Sequence, residues 1–430
     1  MSATTLTEER SQVPAPGCER AKPSSVQSEY EVALLTGGQD PHYAFGLAMA
    51  LIAKGAGLDV IGSDLIDGPE MHSAPQLRFL NLYGSKQEAS VASKIKRVLL
   101  SYVRLIRYAA TAKPGIFHIL WNNKFEVFDR TLLMLYYKML GKKIVLTAHN
   151  VNAGRRDSRD SLLNRFTLAA QYRLADHIFV HTKKMKDELV ERFQVKSAAI
   201  KIIPYGINNA VPDTGLTSAR ARQRLGIREE ERTILFFGAI KPYKGLEYLV
   251  AAFQKIAAVH GDYRLIIAGE RKKGGEDYLS AIQQTIARDS SRQQVIQQID
   301  FIPDDETELY FKAADVAVLP YTEIFQSGVL FLAYSFGLPV IATDVGSFKE
   351  DIVEGRNGFV CKPCDSDDLA AALQRYFAGD LFQNLEQRRK EIRDDALSNH
   401  SWDVVGDLTR DVYAALLMKK RVQRRATGRV

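Results

Sequence analysis

Two loops in the C-terminal half of the sequence combine residue types that bind phosphate. The first is FFGAIKPYKG at 236–245, where an apolar run ends at Gly238 and two lysines, Lys241 and Lys244, follow. A lysine gives an anion a point charge, and the amides and dipole of a following helix start add to it. This spacing predicts a diphosphate site, while two solvated loop lysines remain the alternative.

The second loop lies within YTEIFQSGVLFLAYSFGLPVIAT at 321–343. Its pattern predicts a strand end, a helix that starts at Ser327-Gly328 and a stop at Gly337. The helix is apolar almost all round, so we expect deep packing that holds its amide-bearing start rigidly. Ser327 as a simple N-cap is the alternative. Two such helix starts in one half, each after a strand, together predict one phosphate cradle.

The N-terminal half contributes a glycine pair and a histidine. Gly37-Gly38 follow the first apolar run, where glycines either let the backbone approach a ligand or tighten a turn. His149 and Asn150 end a later run, at the edge of a parallel sheet where sites gather. A hydrogen-bonded structural histidine is the alternative interpretation of His149.

A polar, arginine-rich loop follows that histidine in LTAHNVNAGRRDSRD at 146–160. Arg155, Arg156 and Asp157 would either steer an anionic acceptor or form an exposed loop of mixed charge. The sequence leaves both interpretations open.

Short apolar runs, separated by amphipathic segments of helix length, surround these loops. In the first half the runs lie at 32–36, 58–62, 77–80, 116–121, 143–148, 177–181 and 200–203. In the second half they lie at 233–238, 264–269, 315–320, 339–343 and 358–361. This alternation predicts an α/β fold with two doubly wound halves. Ligands of such sheets bind at the carboxyl ends of the strands, so we expect the site in a cleft between the halves.

The same pattern divides the chain into segments. We predict a disordered tail at 1–28, an N-terminal domain at 29–208, a linker at 209–231, a C-terminal domain at 232–398, and a helix with a basic tail at 399–430. No strand follows that last helix, and we expect it to pack back toward the N-terminal domain.

Composition limits the class of protein. Of 430 residues, 46% are hydrophobic and 25% charged, as in a globular protein of two domains. Three cysteines exclude a disulfide scaffold, and no apolar run approaches the ~20 residues of a membrane span. Most of the net charge of +7 comes from the C-terminal tail, which argues against nucleic acid as a partner. The N-terminus lacks the apolar core of a secretion signal, so a cytoplasmic protein is expected.

One segment is suited to contact with an anionic membrane. At 94–107, apolar residues follow helical spacing on one face and five lysines and arginines fall on the other. Such a helix either lies on the inner face of the cell membrane, assisted by the basic tail at 419–430, or covers the sheet with a solvated outer face.

Taken together, these segments resemble a known family. FFGAIKPYKGLEYLV, LIIAGE, QSGVLFLAYSFGLPVIATDVGSFKEDI and GRNGFV are similar to the donor-binding half of the retaining GT-B glycosyltransferases, also called group 1. KIIPYGINN resembles the strand and loop before the family's hinge, and TAHNVNAGRRD resembles the acceptor-half segment that carries its histidine. The resemblance runs from about Glu31 to Leu369.

The resemblance implies two Rossmann-like domains that face each other across a cleft. It implies transfer of a sugar from a nucleoside diphosphate to an acceptor with retention of the anomeric configuration. UDP- and GDP-sugars are the expected donors, and no cofactor or metal is required. The expected acceptor is a glycan, a lipid-linked molecule or another compound of cell-surface polysaccharide or glycoconjugate assembly.

Family roles carry over to this chain by position. Lys244 would neutralise the diphosphate, the amides of 327–329 would hold its distal phosphate, and His149 would lie beside the transferred sugar. The glycines at 37–38 would approach the phosphates, and the backbone at 301–302 would face the base. The implied donor-binding residues are Gly37, Gly38, Gly238, Lys241, Lys244, Phe301, Ile302, Glu323, Ser327, Gly328, Val329 and Glu350. The implied catalytic residues are His149, Lys244 and Gln326, and the acceptor-side residues are Asn150, Arg155, Arg156 and Asp157.

The sequence departs from the family pattern at three positions. Ala239 stands where an arginine is common, and Ile324 and Leu332 stand where a pair of glutamates is common. Glu323 and Gln326 are near enough to replace the first glutamate as ligands of the sugar hydroxyls. Two alternatives to a glycosyltransferase therefore stay open: a sugar-nucleotide epimerase of related fold, and a non-catalytic nucleotide-binding subunit.

Overall fold

The computed structural model describes residues 29–84, 90–156, 160–207, 211–272 and 274–426. Two parallel sheets, of seven and six strands, form the centres of its two halves. The prediction of two doubly wound α/β halves is confirmed. The predicted tail at 1–28 lies outside the described residues.

The N-terminal sheet is built from short, almost fully apolar strands. They are β1 (Tyr30–Leu35), β2 (Ala56–Gly62), β3 (Leu77–Asn81), β4 (Ile116–Ile119), β5 (Lys143–Thr147), β6 (His177–Val180) and β7 (Ile200–Ile202). Their order across the sheet is β3-β2-β1-β4-β5-β6-β7, and neighbouring strands run parallel. Strands with helices on both faces read as continuous apolar runs, which is why the sequence reveals them.

Helices cover both faces of this sheet. They are α1 (Pro41–Ala53), α2 (Val91–Thr111), α3 (Glu126–Phe128), α4 (Met134–Met139), α5 (Ala153–Arg156), α6 (Leu162–Leu174) and α7 (Lys183–Phe193). A π-helical turn, Asp129–Leu133, joins α3 to α4. The inner residues of α2, α4, α6 and α7 share one hydrophobic core on one face, whereas α1 packs in a second core on the other.

The C-terminal sheet repeats this arrangement with six strands. They are β8 (Arg232–Phe237), β9 (Tyr263–Ala268), β10 (Val295–Gln298), β11 (Val316–Leu319), β12 (Val340–Thr343) and β13 (Gly358–Cys361). The order is β10-β9-β8-β11-β12-β13. In each sheet the strand order therefore reverses beside the first strand, between β1 and β4 and between β8 and β11. Ligands of doubly wound folds bind at such a reversal.

Nine helices accompany the second sheet in the described part of the chain. They are α8 (Ser218–Arg224), α9 (Leu246–Ala257), α10 (Glu276–Arg288), α11 (Asp304–Ala313), α12 (Gly328–Ser335), α13 (Phe348–Asp351), α14 (Ser366–Ala378), α15 (Asp380–Gln383) and α16 (Leu385–His400). Their buried side chains form one continuous core with the strands.

Two of these elements escaped the sequence prediction. The run VIQQ at 295–298 forms edge strand β10, and its polar half hides it from an analysis based on apolar runs. Helix α8 lies in the segment that showed no strand, and it turns a charged residue inward: Arg222 donates to Asp315 at 2.6 Å, and both side chains are buried.

The last helix, α17 (Trp402–Ala426), returns to the N-terminal half. It packs against α1, where Val405 and Tyr413 are fully buried. The chain thus passes between the halves twice, and the two crossings are hydrogen-bonded to each other. The Ile207 amide donates to the His400 carbonyl at 3.0 Å, and Trp402 Nε1 donates to the Ile207 carbonyl at 2.7 Å. Within the described ranges, no helix has the length and apolarity needed to span a membrane.

Candidate active site

A cavity of about 480 Å³ lies between the two halves and is lined by both of them. Its walls include the loops that follow β1, β4, β8 and β11, the four strands beside the two reversals of strand order, and residues that follow β5, β6 and β7. The loop after β11 reaches across the gap, since Phe325 packs against the core of the N-terminal half. The cavity therefore occupies the position expected for a ligand of paired doubly wound sheets.

Lys244 brings a positive charge to this cavity. It ends a short 3-10 turn, Pro242–Lys244, and only 7% of its surface is exposed. Its Nζ lies 3.9 Å from the centre of the Tyr321 ring and donates a hydrogen bond to the Tyr321 hydroxyl. The next residue, Gly245, has φ +64°, and a Cβ there would lie 2.0 Å from the Pro320 carbonyl oxygen. Glycine is required where these two loops meet.

The start of α12 supplies amides on the same side of the cavity. Ser327 is at the N-cap position, but its side chain does not cap the helix, and its Oγ lies 3.3 Å from the Tyr321 hydroxyl. Gly328 at the first helical position is exposed, whereas Leu330 and Phe331 one turn later are buried. The helix is thus fixed in the core with its first turn open toward the cavity.

The two predicted helix starts differ in this respect. Helix α9 begins at Leu246, after Lys244, and its first amide donates to the Tyr278 hydroxyl at 3.0 Å. That amide is engaged within the protein, which corrects the expectation that both helix starts present open donors. Lys244 and the start of α12 remain the candidate anion-binding groups beside the cavity.

Tyr321, which the sequence analysis did not select, joins these two groups. It follows β11 directly, is fully buried, and contacts both Lys244 and Ser327 through its hydroxyl. Burial raises the pKa of this phenol well above its usual value, so the group stays neutral and can donate a hydrogen bond. In the sequence, its position between a strand end and the predicted loop was the feature that could have identified it as a site residue.

His149 faces the cavity from the N-terminal half. Its ring stacks on Trp121, with ring centres 4.2 Å apart and planes at 6°, and Tyr43 meets it edge-on. Burial, followed by the charges of His181 and His118, lowers the pKa of His149 well below its usual value. The imidazole is therefore neutral near neutral pH.

A second histidine orients the first. His181 Nδ1 lies 3.3 Å from the Ile203 carbonyl oxygen, which only accepts, so this nitrogen carries the proton. His181 Nε2 is then an acceptor for His149 Nδ1–H at 3.1 Å. His149 Nε2 is left as an acceptor, and it has no hydrogen-bond partner in the described part of the protein.

Tyr205, which follows β7 in the first crossing between the halves, touches both halves beside this pair. Its ring stacks on Phe331 of α12 with centres 5.8 Å apart, and its hydroxyl donates to Asp40 Oδ2 at 3.4 Å. Asp40, Tyr205 and Trp402 all line the cavity, and the sequence analysis selected none of them. Tyr205 lies within KIIPYGINN, so the hinge-like segment was the available signal.

Several predicted residues lie in or beside the cavity. Asn150 lines it, and so does Gln326, whose buried Oε1 lacks a hydrogen-bond partner among the described residues. A Cβ on Gly238, which has φ +105°, would lie 3.5 Å from Val329 of the α12 start. Gly37 and Gly38 form a turn after β1, with φ of +59° and +67°.

Other predicted residues do not line this cavity. Lys241 Nζ lies 5.9 Å from the centre of the Tyr243 ring, and Phe301 is 71% exposed. Arg155 is exposed and lies 3.9 Å from Glu188. The predicted residues of the described ranges outside the lining are Gly37, Gly38, Arg155, Gly238, Lys241, Phe301, Ile302, Glu323 and Glu350. Asp157 and the side chain of Arg156 lie outside the described residues.

The positions of the missing glutamates are apolar walls of the cavity. Ile324 and Leu332 both line it, and Leu332 is only 8% exposed. No group of three histidine, cysteine or acidic side chains in the described ranges is arranged to hold a metal ion.

Comparison with known proteins connects this geometry to a family. The family model described as Glycosyl transferases group 1 matches residues 217–395, and that described as Glycosyltransferase Family 4 matches residues 41–211. D-inositol 3-phosphate glycosyltransferase of Corynebacterium jeikeium is 23% identical over 388 residues, 87% of this chain and 91% of that protein. An uncharacterized glycosyltransferase of Methanocaldococcus jannaschii is 29% identical over 237 residues, 54% of this chain and 58% of that protein.

Solved structures share the whole architecture. Sucrose-phosphate synthase from Thermosynechococcus elongatus matches with a TM-score of 0.73 and 21% identity, covering 91% of this chain and all of that one. Anabaena HepE in complex with UDP-glucose matches with a TM-score of 0.68 and 15% identity, covering 90% of this chain and 99% of that one.

Proposed function

Because this chain belongs to the group 1 glycosyltransferases, we propose that it transfers a sugar, with retained configuration, from a nucleoside diphosphate sugar to an acceptor bound by its N-terminal half. One observation carries the proposal. Buried Lys244, the open start of α12 and neutral His149 line one cavity between the two sheets.

Lys244 and α12 suit a diphosphate leaving group. Breaking the bond from sugar to diphosphate leaves growing negative charge on the phosphate oxygens. Lys244 and the amides of the α12 start are fixed before the reaction begins, because Lys244 is buried against Tyr321 and α12 is packed in the core. Such pre-arranged donors stabilise the transition state more than the ground state.

His149 and Gln326 suit the transferred sugar. Both present buried acceptor atoms without partners among the described residues, His149 Nε2 and Gln326 Oε1. Sugar hydroxyls are donors that satisfy such atoms, and leaving them unsatisfied is costly. In this assignment Gln326 takes over the sugar contact of the first family glutamate, and exposed Glu323 does not.

The identity of the donor nucleotide and the class of acceptor are separate parts of the proposal. Anabaena HepE was solved with UDP-glucose, which supports a UDP-sugar among the candidate donors, with GDP-sugars as the other expectation. Leu332 replaces the second glutamate, so contacts of the ribose must come from other groups. We further propose that the reaction serves cell-surface polysaccharide or glycoconjugate assembly at the cytoplasmic face of the membrane and requires no metal.

Ligand-induced stabilisation and product analysis test the proposal together. Purified protein is heated with UDP-, GDP-, ADP- and TDP-sugars, and one class is expected to raise the melting temperature. Ligand at about a hundred times its dissociation constant adds ~2.7 kcal/mol of stability. Lys244→Ala should remove most of that response and lower transfer about a hundredfold or more, since one fixed donor contributes ~3 kcal/mol to the transition state.

Lys255→Ala is the matched control, because Lys255 lies in the last turn of α9 and pairs with Asp367 on the surface. It should behave as the unmodified protein does. No response to any nucleotide sugar, or full transfer by Lys244→Ala, would contradict the proposal. Turnover of the nucleotide sugar to an isomer without acceptor would instead show an epimerase.

A further inference from the structure

Helix α2 exposes an apolar stripe that packs against nothing in the described protein. Val91, Ile95, Leu99 and Val103 recur every four residues and are 73%, 56%, 55% and 51% exposed. The buried positions of the same helix, such as Tyr102 and its neighbours one turn on, point to the sheet core. The stripe is thus a second apolar side of a helix whose first apolar side is already satisfied.

The neighbouring helices extend this stripe. In the segment from α3 to α4, Phe125, Leu132, Leu135 and Met139 are exposed, Met139 by 79%. This segment lies directly beside α2, because the Tyr136 hydroxyl donates to a carbonyl of α2 at 3.3 Å.

Helix α6 adds the third part at its first turn. Leu162, Leu163 and Phe166 are 83%, 59% and 70% exposed. Arg130 of the π-helical turn donates to Asn164 of α6 at 2.9 Å, so this helix adjoins the α3–α4 segment. We call the exposed apolar residues of α2, α3–α4 and α6 the apolar face. Soluble proteins rarely leave an apolar surface of this extent without a partner.

The charge around the apolar face indicates what covers it. Between residues 91 and 124 the sequence has seven lysines and arginines and no aspartate or glutamate. The acidic side chains beside the rest of the apolar face, Glu126 and Asp160, are paired with Arg130 and Arg165. An apolar surface whose unpaired border along α2 is cationic complements a bilayer that contains anionic lipids. A second copy of the chain fits less well, since a two-fold axis through α2 would bring like charges together.

The position of the apolar face relates it to the cavity. Helices α2, α3 and α6 follow β3, β4 and β5, so their first turns lie at the carboxyl edge of the sheet, where the active site opens. A second cavity of about 340 Å³ leads from His149 to Glu126 of α3 and to Arg130 and Gln171 beside it. Its polar lining ends next to the exposed first turns of α3 and α6.

We propose that the apolar face rests on an anionic lipid bilayer, so that the second cavity opens at the membrane surface and receives the polar head of a lipid-anchored acceptor. The claim that the second cavity receives an acceptor rests on the proposed function, whereas the claim that the apolar face binds a bilayer does not. The described part of α17 packs with α1 on the opposite face of the sheet, and the side chains of the predicted basic tail at 419–430 lie outside the described residues.

Vesicle flotation of the full-length protein tests this proposal. Vesicles of phosphatidylcholine with phosphatidylglycerol should carry the protein, and vesicles of phosphatidylcholine alone should carry much less. The triple variant Ile95→Ser, Leu99→Ser, Val103→Ser should bind the anionic vesicles at least ~10-fold more weakly, because membrane affinity scales with buried apolar area. The double variant Lys96→Gln, Arg104→Gln should lose about 30-fold at low salt.

A matched control removes exposed apolar residues elsewhere. Val259→Ser, Val353→Ser, Leu397→Ser changes three such side chains of the C-terminal half, and its vesicle binding should equal that of the unmodified protein. The thermal response to nucleotide sugars should be the same in every variant, so a failure of docking is distinguished from a failure of the proposed function. Equal binding by the Ile95 triple variant, no binding by the unmodified protein, or a dimer that this variant abolishes would overturn the proposal.

Discussion

At the scale of single residues, burial fixes the protonation state of the groups around the cavity. His118, His149 and His181 are all neutral near neutral pH because burial disfavours their charged forms. The pKa of His181 falls to about 4 and that of His118 to about 3. A neutral His149 accepts hydrogen bonds and does not attract a phosphate, which leaves that task to Lys244.

His118 offers a test of this effect away from the cavity. Its ring contacts Tyr413 and Thr147 at 2.6 and 2.7 Å. The unfolded chain takes up a proton at this histidine below the ordinary histidine pKa of 6.5, and the folded protein does so only near 3, so this contribution to stability is lost as the pH falls below 6.5. His118→Gln should lower the free energy of unfolding at about pH 7.5, and the gap to the unmodified protein should narrow by ~1.4 kcal/mol at about pH 5.5.

Denaturant unfolding of both proteins at the two pH values measures this gap. All other titrating groups are common to the two proteins and cancel in the difference. A gap that stays constant, or widens on acidification, would show that His118 is not held neutral.

Residue types predicted part of the cavity lining and missed the rest for a physical reason. Lys244 and Ser327 each lie in the loop that follows an apolar run, so short patterns reveal them. The contact of His149 with His181 joins residues 32 apart in sequence, and the contact of Tyr321 with Lys244 joins residues 77 apart. Only the folded sheets bring such partners together, and no local pattern encodes them.

At the scale of elements, the loop after β8 is held by one glycine. Gly245 has a left-handed conformation against the Pro320 carbonyl, and it follows Lys244 directly. Gly245→Ala should cost at least ~2 kcal/mol of stability, because it adds backbone strain and a contact of 2.0 Å with Pro320 that must be relieved by moving the loop. Moving the loop displaces Lys244, so the thermal response to nucleotide sugars should also fall.

Gly355→Ala is the control that adds backbone strain without displacing the loop that carries Lys244. Gly355 has φ +74°, but a Cβ there would meet no atom within 4 Å in the described structure. It should cost roughly 1 kcal/mol through strain alone and leave the nucleotide response intact. If both alanine variants behaved alike, the contact with Pro320 would not position Lys244.

The sequence predicted the elements that are buried on all sides. Strands covered on both faces were visible as apolar runs, and the deeply packed α12 as an apolar helix. Edge strand β10 was missed because half of its residues are polar. Which amides a helix start leaves open depends on distant side chains such as Tyr278, beyond the reach of local patterns.

At the scale of the whole molecule, Trp402 links the two chain crossings by packing and by a hydrogen bond. A Cβ on Gly46 of α1 or on Gly206 of the first crossing would lie 2.1 or 2.5 Å from its ring, so the indole fills the slot between them. Trp402→Ala should lower the free energy of unfolding by about 3–5 kcal/mol through the space it leaves. Trp402→Phe should cost less, since it keeps a ring and loses the hydrogen bond to Ile207.

Denaturant unfolding of the two variants measures these costs. An alanine variant as stable as the unmodified protein would show that the slot collapses without consequence. A phenylalanine variant as unstable as the alanine one would assign the effect to the indole hydrogen bond and not to packing.

Both passages of the chain between the lobes run side by side and are bonded to each other, so they mark one line of covalent attachment between the lobes. We expect the lobes to rotate about this line more easily than they slide past each other. Under the proposed function, entry of the donor and release of the nucleotide would then depend on the angle between the lobes. Tyr205 lies on that line, with its ring on α12 and its hydroxyl on Asp40. A ligand in the cavity would therefore act on the angle between the lobes through the contacts of Tyr205.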